Sequence, residues 1–131
     1  CIRDSITTIS DSFLACENES QVDCFVSWRS FRSGFYPSNP FGDSIVSINP
    51  IHWKSSNVQS DYTKHQGILF PSGKLKYPHS LSVKNHQGML WVERPKGLIL
   101  RFYKRDDYHV ADINLFWLNI RENLRLRLNN L

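Results

Sequence analysis

The sequence predicts an α+β fold in which an N-terminal helical hairpin, an antiparallel sheet of about five or six strands and a C-terminal amphipathic helix form one domain. Three observations predict it. Residues 1–34 space apolar side chains at helical intervals, residues 65–105 contain nearly the same hairpin pattern twice, and residues 111–131 carry a regular apolar stripe. The chain has 131 residues, of which 40% are hydrophobic and 21% charged, so it can bury a core of its own.

Residues 1–34 are predicted to form two helices joined by a short loop. Over residues 4–16 the apolar side chains recur at helical intervals: Ile6, Ile9, Phe13 and Leu14. Ser20 and Asp23 have the spacing of a reciprocal N-terminal cap for the second helix, and Gly34 is a suitable end for it. A strand over residues 25–31 is the alternative, but Arg29 interrupts its alternation.

The three cysteines predict export. Cys16 and Cys24 lie at facing ends of the two predicted helices, where a disulfide can close the connection between them. The chain begins with Cys1, and in this it resembles bacterial lipoproteins, whose mature chains start at a lipidated cysteine. The resemblance implies lipidation of Cys1 and a place at the periplasmic face of a bacterial membrane, or secretion. The competing interpretation is an arbitrary start of the sequence and two ordinary buried thiols.

Residues 35–64 are rich in turn-forming residues and predict a long, irregular connection. Connections of this kind on a compact scaffold frequently carry binding residues. The aromatic and imidazole side chains of this segment are therefore the first candidate partner-binding set: Tyr36, Phe41, His52 and Trp53.

Residues 65–105 repeat one pattern. His65-Gln66-Gly67 and His86-Gln87-Gly88 each open an apolar run that ends on an aromatic residue. A Pro-x-Gly sequence follows each run, at residues 71–73 and 95–97, and a second apolar or alternating run comes after it. Proline presets the φ angle of an early turn position and glycine accepts the left-handed one, so both copies predict a β-hairpin.

Residues 111–131 predict the C-terminal helix, with Asp112 or Asn114 as its cap. Its apolar side chains follow the period of an α-helix: Ile113, Phe116, Trp117, Ile120, Leu124 and Leu128. Its cations lie on the polar side and toward the C-terminal end, where the helix dipole favours positive charge: Arg121, Arg125 and Arg127. The apolar stripe is expected to pack on the sheet.

The charge of the chain is unevenly distributed. Residues 1–23 carry a net charge of −4 and the remainder carries +8, which allows an acidic protein, a nucleic acid or an anionic membrane surface as partner. Basic residues around the second predicted hairpin form the second candidate partner-binding set: Arg94, Lys96, Arg101, Lys104 and Arg105.

No pattern predicts catalysis, a metal site or a cofactor. The five histidines lack the close pairs that zinc sites use, and the matching His65 and His86 are interpreted as strand-entry turns. A general base with an orienting carboxylate would need His109 and one of three acids: Asp106, Asp107 or Asp112. A charged turn that leads into a helix cap explains the same residues more simply. Phosphate-loop and dinucleotide-binding motifs are absent.

These observations favour non-catalytic protein binding by a small exported envelope protein, for example an immunity or inhibitor protein against a periplasmic toxin. A pilotin-like assembly lipoprotein of a secretion system is the neighbouring alternative. The alternative from another class is a basic single-stranded nucleic-acid-binding domain, because cations and aromatic residues are interleaved over residues 70–105. Export disfavours nucleic acid, so the expected partner is a protein, acidic if it meets the basic face. Membrane contact is expected only through the anchor at Cys1.

Overall fold

The computed structural model describes residues 14–38, 46–96, 105–108 and 111–131. The α+β class is confirmed, and the described residues contain five strands in two sheets and two α-helices near the C-terminus. The strands are β1 (Ser30–Arg32), β2 (Ile68–Leu69), β3 (Leu75–Lys76), β4 (Val83–His86) and β5 (Met89–Val92). The helices are α1 (Asp112–Leu115) and α2 (Trp117–Asn129), and a short 3-10 helix spans Tyr62–Lys64.

The larger sheet has three strands in the order β1–β5–β4. β5 pairs parallel with β1 and antiparallel with β4, while β2 and β3 form a separate antiparallel pair. Residues 105–108 run along the free side of β1, where Arg32 N donates to Asp106 O at 2.9 Å and Tyr108 N donates to Ser30 O at 3.0 Å. The expectation of one antiparallel sheet of five or six strands is therefore wrong.

All four residues of the central strand β5 are buried. Since side chains alternate across a strand, β5 is therefore covered on both faces of the sheet. Leu90 and Val92 belong to the main core together with Leu115 of α1 and Phe116, the residue between α1 and α2. Met89 and Trp91 point to the opposite face and pack with Phe31 and Phe35. The sheet thus separates a large core under the helices from a small aromatic core on its other face.

The predicted N-terminal helical hairpin is wrong. Most of its first helix lies outside the described residues, and residues 14–34 contain no helix. Ala15 and Phe25 form a parallel bridge, in which Cys16 N donates to Phe25 O at 3.0 Å, and β1 begins five residues later. The Cys16–Cys24 disulfide is confirmed, with 5.1 Å between the Cα atoms, but it closes a bridged loop and not a helical connection.

Local hydrogen bonding explains why no helix begins at Ser20. Its N–H and its hydroxyl both donate to Asn18 Oδ1, each at 3.1 Å, so the hydroxyl is held in a side-chain turn instead of capping a helix. Asp23 then adopts a left-handed conformation with φ 58°, which a helix cannot contain. The alternative of a strand was closer to the structure, because β1 begins at Ser30.

The two copies of the duplicated pattern fold differently. Residues 71–73 join β2 to β3 in the expected hairpin, where Gly73 has φ 81°. In the second copy the turn lies at Gln87 and Gly88, with φ angles of 48° and 78°, and it connects β4 to β5. Positive φ at both central residues is the requirement of a tight two-residue hairpin. The second predicted hairpin would pair the apolar run of this copy with residues 98–103, but β5 already has β1 and β4 on its two sides. Residues 97–103 lie outside the described residues.

The C-terminal helical region is interrupted at Phe116, which separates α1 from α2. Asp112 is not a cap: its side chain is buried, and Oδ1 accepts a hydrogen bond from Ser30 N at 3.1 Å, which ties α1 to β1. Phe116 enters the main core and Ile120 packs against it. The other members of the predicted apolar stripe do not pack on the sheet, and this difference defines the surface described next.

Candidate protein-binding face

Three polar side chains of α2, spaced one turn apart, face the body of the protein: Asn119, Asn123 and Arg127. We call them the polar row. Residues four apart lie above one another on a helix, so the polar row determines which side of α2 is turned inward. The predicted inward side was the apolar stripe, and the prediction was wrong because buried amides, not leucines, make these contacts.

The first member of the polar row, Asn119, holds the segment that follows the 3-10 helix. Its Nδ2 donates to Lys64 O at 2.9 Å, and its Oδ1 accepts from Gln66 N at 3.0 Å. One amide therefore satisfies a backbone acceptor and a backbone donor on the same segment, as a strand neighbour would.

The other two members hold the disulfide loop. Asn123 Nδ2 donates to Glu19 O at 2.7 Å, and Arg127 Nε donates to Asn123 Oδ1 at 2.6 Å. The Arg127 guanidinium also donates to Gln21 O at 2.6 Å and lies 3.0 and 3.3 Å from the two disulfide sulfurs. Burial lowers the pKa of Arg127 from its ordinary value. The last turn of α2 is thus fixed to the Cys16–Cys24 loop.

The consequence is an apolar stripe on the outside of α2. Trp117, Leu124 and Leu128 follow helical spacing, and their exposed fractions are 38%, 56% and 57%. Ile113 and Leu131, both exposed, extend the stripe at its ends. Arg121 and Arg125 are exposed beside it, and Arg125 Nη1 lies 3.7 Å from Glu122 Oε1 on the same helix. We call Trp117, Leu124 and Leu128 the outer stripe.

Tyr36, from the first candidate set, lies exposed on the aromatic face of the three-stranded sheet. Its hydroxyl is 3.1 Å from His86 Nε2, and its ring meets Trp91 edge-on with 5.3 Å between centroids. His86 in turn stacks on Trp91 at 3.9 Å, and Lys84 Nζ lies 5.7 Å from the centroid of the same indole. These rings cover one another, so Trp91 is buried and not open for stacking on a base.

His52 and Trp53, from the same set, are structural. Trp53 is buried, meets Trp28 edge-on at 6.5 Å, and lies under the Arg127 guanidinium. His52 Nε2 donates to Val58 O at 3.0 Å, its Nδ1 accepts from Lys54 N at 3.2 Å, and burial lowers its pKa. Phe41 lies outside the described residues, so the set contributes only Tyr36 to the described surface.

The second candidate set is only partly described. Arg94 and Lys96 flank Tyr62: the tyrosine hydroxyl donates to Arg94 O at 2.8 Å, and Lys96 Nζ lies 4.3 Å from the ring centroid. Arg105 is exposed at the start of the segment beside β1. Arg101, Lys104 and the predicted lipidation site Cys1 lie outside the described residues.

The acids considered for catalysis make structural contacts. Asp107 pairs with Arg29 at 3.2 Å, Asp106 pairs with Arg32, and Asp112 is the buried acceptor on α1. His109 lies outside the described residues. In the part of the chain that the structure describes, no three His, Cys, Asp or Glu side chains are placed to share a metal ion.

His65, which the sequence suggested as a strand-entry residue, is a fully buried connector. Its Nε2 donates to Leu115 O at 2.8 Å and its Nδ1 accepts from Ser80 N at 3.3 Å. Burial lowers the pKa of His65 from 6.5, because the charged ring would lose its water, and the hydrogen bond to Leu115 offsets only part of this. Protonation of His65 Nδ1 would also place its N–H against the Ser80 N–H, so that two donors would face each other.

We therefore expect stability to fall in mild acid. As the pH falls below about 6.5, His65 and His52 become protonated in the unfolded chain but stay neutral in the folded protein, because their folded pKa values are lowered. The free energy of unfolding therefore decreases with falling pH until the pH passes the folded pKa values. The slope is at most about 1.4 kcal/mol per pH unit for each histidine. Urea titrations between pH 7.5 and 4.5 should show the slope reduced in His65→Gln and reduced further in the double variant with His52→Gln. An unchanged slope in His65→Gln would contradict this role.

The sequence contained one unused signal for the outer stripe. The helix carries polar residues at every fourth position, Asn119, Asn123 and Arg127, and its leucines lie on a different side. Two stripes, one polar and one apolar, therefore compete for the inward side of the helix. The sequence analysis assigned the inward side to the apolar stripe.

Neither helix of the described residues combines the length and apolarity needed to cross a membrane. Comparisons with protein-family models, with curated proteins and with solved structures found no significant match for this chain.

Proposed function

We propose that this protein is a non-catalytic protein-binding domain that works outside the cytoplasm and docks its partner along the outer stripe of α2. One observation carries the proposal: large apolar side chains are exposed in a row on a helix whose other side is fixed by the polar row. Isolated exposed leucines are ordinary on protein surfaces, but several large apolar side chains on one side of a helix, bordered by polar residues, are typical of an interaction site. The disulfide fits a non-cytoplasmic protein.

The charges beside the outer stripe favour a particular partner. Arg121 and Arg125 stand exposed along one border, so a partner that buries Leu124 and Leu128 also meets two cations. An amphipathic helix with acidic residues beside its own apolar row satisfies both features. A second copy of this chain fits less well, because two α2 helices meeting along their outer stripes would bring the same arginines together.

The proposal keeps the envelope setting that the cysteines suggest. An immunity or inhibitor protein needs a preformed surface complementary to its target and no catalytic group, and a pilotin-like factor needs a groove or helix face for its client. The outer stripe supplies such a surface, and the anchoring of α2 to the disulfide loop makes it rigid. A rigid surface loses little conformational entropy on binding, which favours affinity.

The nucleic-acid alternative receives less support from the described residues. Trp91, the aromatic residue at the centre of the larger sheet, is covered by His86 and Tyr36. Phe70 and Tyr77 pack on each other with 5.7 Å between ring centroids, beside Lys76. Stacking platforms for single strands present open aromatic faces, and these rings are occupied by neighbours from the same chain.

Selection from a display library of helical peptides tests the proposal without a known partner. We expect the enriched peptides to carry apolar residues at helical spacing and a net negative charge. Their affinity for Leu124→Glu should be at least about tenfold lower than for the unaltered protein, a difference of roughly 1.4 kcal/mol. Because Leu124 is exposed, urea unfolding of Leu124→Glu should match that of the unaltered protein.

Leu75→Glu is the matched control, since Leu75 is an exposed leucine on β3, away from α2. It should leave the affinity for the selected peptides unchanged, and Arg121→Glu with Arg125→Glu should reduce it. Peptides that bind Leu124→Glu as tightly as the unaltered protein would refute the docking surface. A gel-shift titration with single-stranded oligonucleotides in parallel would favour the rival function if binding were tight and fell steeply with salt.

A further inference from the structure

We propose that the Cys16–Cys24 bond is a reactive disulfide, which a dithiol opens by thiol–disulfide exchange, and that Arg127 accelerates the opening. The site consists of the bridged loop, the last turn of α2 that carries Arg127, and the buried ring of Trp53 beneath the guanidinium. None of these residues belongs to the outer stripe. Exchange at this bond and docking on α2 can therefore be tested separately.

The first observation is that Arg127 has no counter-ion among the described residues. Its guanidinium lies 5.7 Å from the centroid of the Trp53 ring. It donates to three neutral oxygens, those of Asn18, Gln21 and Asn123. The ion pairs within the described part of the chain do not include Arg127. A partly buried cation with neutral partners alone lacks the stabilisation that an opposite charge would give.

The second observation is that the same guanidinium contacts the disulfide. Arg127 Nη1 lies 3.0 Å from Cys16 Sγ and 3.3 Å from Cys24 Sγ. A disulfide sulfur is neutral, but opening of the bond produces a thiolate, which carries the negative charge that Arg127 lacks. A cation beside a thiolate favours the ionised form. The opened site therefore gains an ion pair that the disulfide cannot form.

Burial decides which sulfur is attacked. Cys16 is fully buried and Cys24 is partly exposed, so an external thiolate reaches Cys24 Sγ. Attack there forms a mixed disulfide and breaks the Cys16–Cys24 bond, whose electron pair leaves on Cys16 Sγ. This leaving sulfur is the one nearer to Arg127 Nη1. Exchange is faster when the leaving thiolate is more stable, so Arg127 is placed to lower the barrier.

A dithiol completes the reaction. Its second thiolate attacks the mixed disulfide, becomes part of a disulfide within the reagent, and releases Cys24 as a thiolate. The protein disulfide is thereby reduced by two electrons and the dithiol is oxidised. Of the two protons that the dithiol loses, one goes to Cys24 and the other to solvent, since Cys16 stays ionised beside Arg127. Oxidoreductases with a Cys-x-x-Cys pair present dithiols of this kind.

The acids of the loop oppose the effect of Arg127 only weakly. Glu17, Glu19 and Asp23 are exposed, and charges at the surface are screened by water and salt. The Glu17 carboxylate also accepts a hydrogen bond from the Ser55 hydroxyl at 2.8 Å. Arg127 is partly shielded from water and in contact with both sulfurs, so it is the dominant charge at the bond.

The test measures how fast dithiothreitol reduces the folded protein, with Cys1→Ser present so that only the two bridging cysteines remain. Alkylation at timed intervals followed by mass spectrometry counts the free thiols. We expect Arg127→Leu to slow reduction at least about threefold, because the leaving thiolate loses its stabilising cation. Arg127→Gln, which removes the charge but keeps a donor, should slow it similarly. Arg125→Leu removes an exposed arginine of the same helix and should leave the rate unchanged.

A purely structural Arg127 predicts the opposite result, since its loss would loosen the loop and expose the bond to faster reduction. Urea below the unfolding transition gives a second readout on the protein with Arg127 intact. Direct attack on the folded protein should depend little on urea, whereas reduction through unfolding accelerates steeply with it. A steep urea dependence would overturn the proposal, and so would equal or faster reduction in both Arg127 variants.

Discussion

Asn119→Ala is expected to lower the free energy of unfolding by about 2–3 kcal/mol, because it removes two hydrogen bonds and leaves a backbone acceptor and a backbone donor without partners. The groups concerned are Lys64 O and Gln66 N, which the Asn119 amide satisfies together. Alanine is the better helix former by several tenths of a kcal/mol, so helix propensity works against the expected loss. Urea unfolding followed by circular dichroism measures the change.

Asn129→Ala is the control, since Asn129 is an exposed asparagine at the last residue of the same helix. It should change stability by less than about 0.5 kcal/mol. Hydrogen exchange gives a local readout: in Asn119→Ala the Gln66 amide should lose protection while the β4–β5 amides keep theirs. If the two alanine variants are equally stable, or Gln66 remains protected, the polar row does not hold α2 in place.

The disulfide and the C-terminal helix were predictable from the sequence because each depends on a local pattern. Cys16 and Cys24 are close in the chain, so their pairing needs no knowledge of the rest of the fold. Residues 117–129 consist mostly of good helix formers, and no glycine or proline interrupts them. The α+β class followed from the same helix together with the Pro-x-Gly turn at residues 71–73.

The path of residues 20–34 was not predictable because its buried positions are not apolar. Ser27 and Ser30 are buried where an alternating strand would normally have Val or Ile, and Ser30 is the first residue of β1. The strand is parallel to β5, a partner that is far away in sequence. Periodicity counts apolar residues, so a pattern search interprets a buried serine as a solvent-facing residue. The helical interpretation came from the spacing of the apolar residues, from the cap pattern at Ser20 and Asp23, and from Arg29, which interrupts the alternation of a strand.

The candidate binding face was missed for a related reason. The sequence identified Trp117, Leu124 and Leu128 correctly as one side of a helix and assigned that side to the core. The assignment depends on whether other side chains compete for the inward position, and Asn119, Asn123 and Arg127 do so through backbone groups that are distant in sequence. Hydrogen-bond partners of this kind are visible only once the chain is folded.

Removal of the disulfide is expected to lower the free energy of unfolding by more than the chain-entropy contribution, which is about 2–3 kcal/mol for a bridge between residues eight positions apart. The variant is Cys16→Ala with Cys24→Ala, and Cys1→Ser is introduced in both proteins so that its thiol cannot pair with another. The loss should exceed the entropic contribution alone, because the loop also positions the carbonyl oxygens of Asn18 and Gln21 for Arg127. Urea unfolding of the two proteins measures the difference.

A double-mutant cycle with Arg127→Leu separates the two contributions. If the disulfide holds the loop in the shape that Arg127 binds, Arg127→Leu should cost at least about 1 kcal/mol more with the disulfide present than without it. Arg125→Leu, at an exposed arginine on the same helix, should cost the same in both backgrounds. Additivity of the disulfide and Arg127 within about 0.3 kcal/mol would contradict the coupling.

The same coupling connects the disulfide to binding. Arg127 precedes Leu128, so the turn that Arg127 fixes to the loop carries the last residue of the outer stripe. A mobile last turn must be ordered again when a partner docks, and that ordering reduces affinity. The disulfide-free protein should therefore bind the selected acidic peptides several-fold more weakly, although no peptide contact with either cysteine is required. Equal affinity of the two proteins would mean that Leu128 is positioned without the loop, and that the disulfide contributes to stability alone.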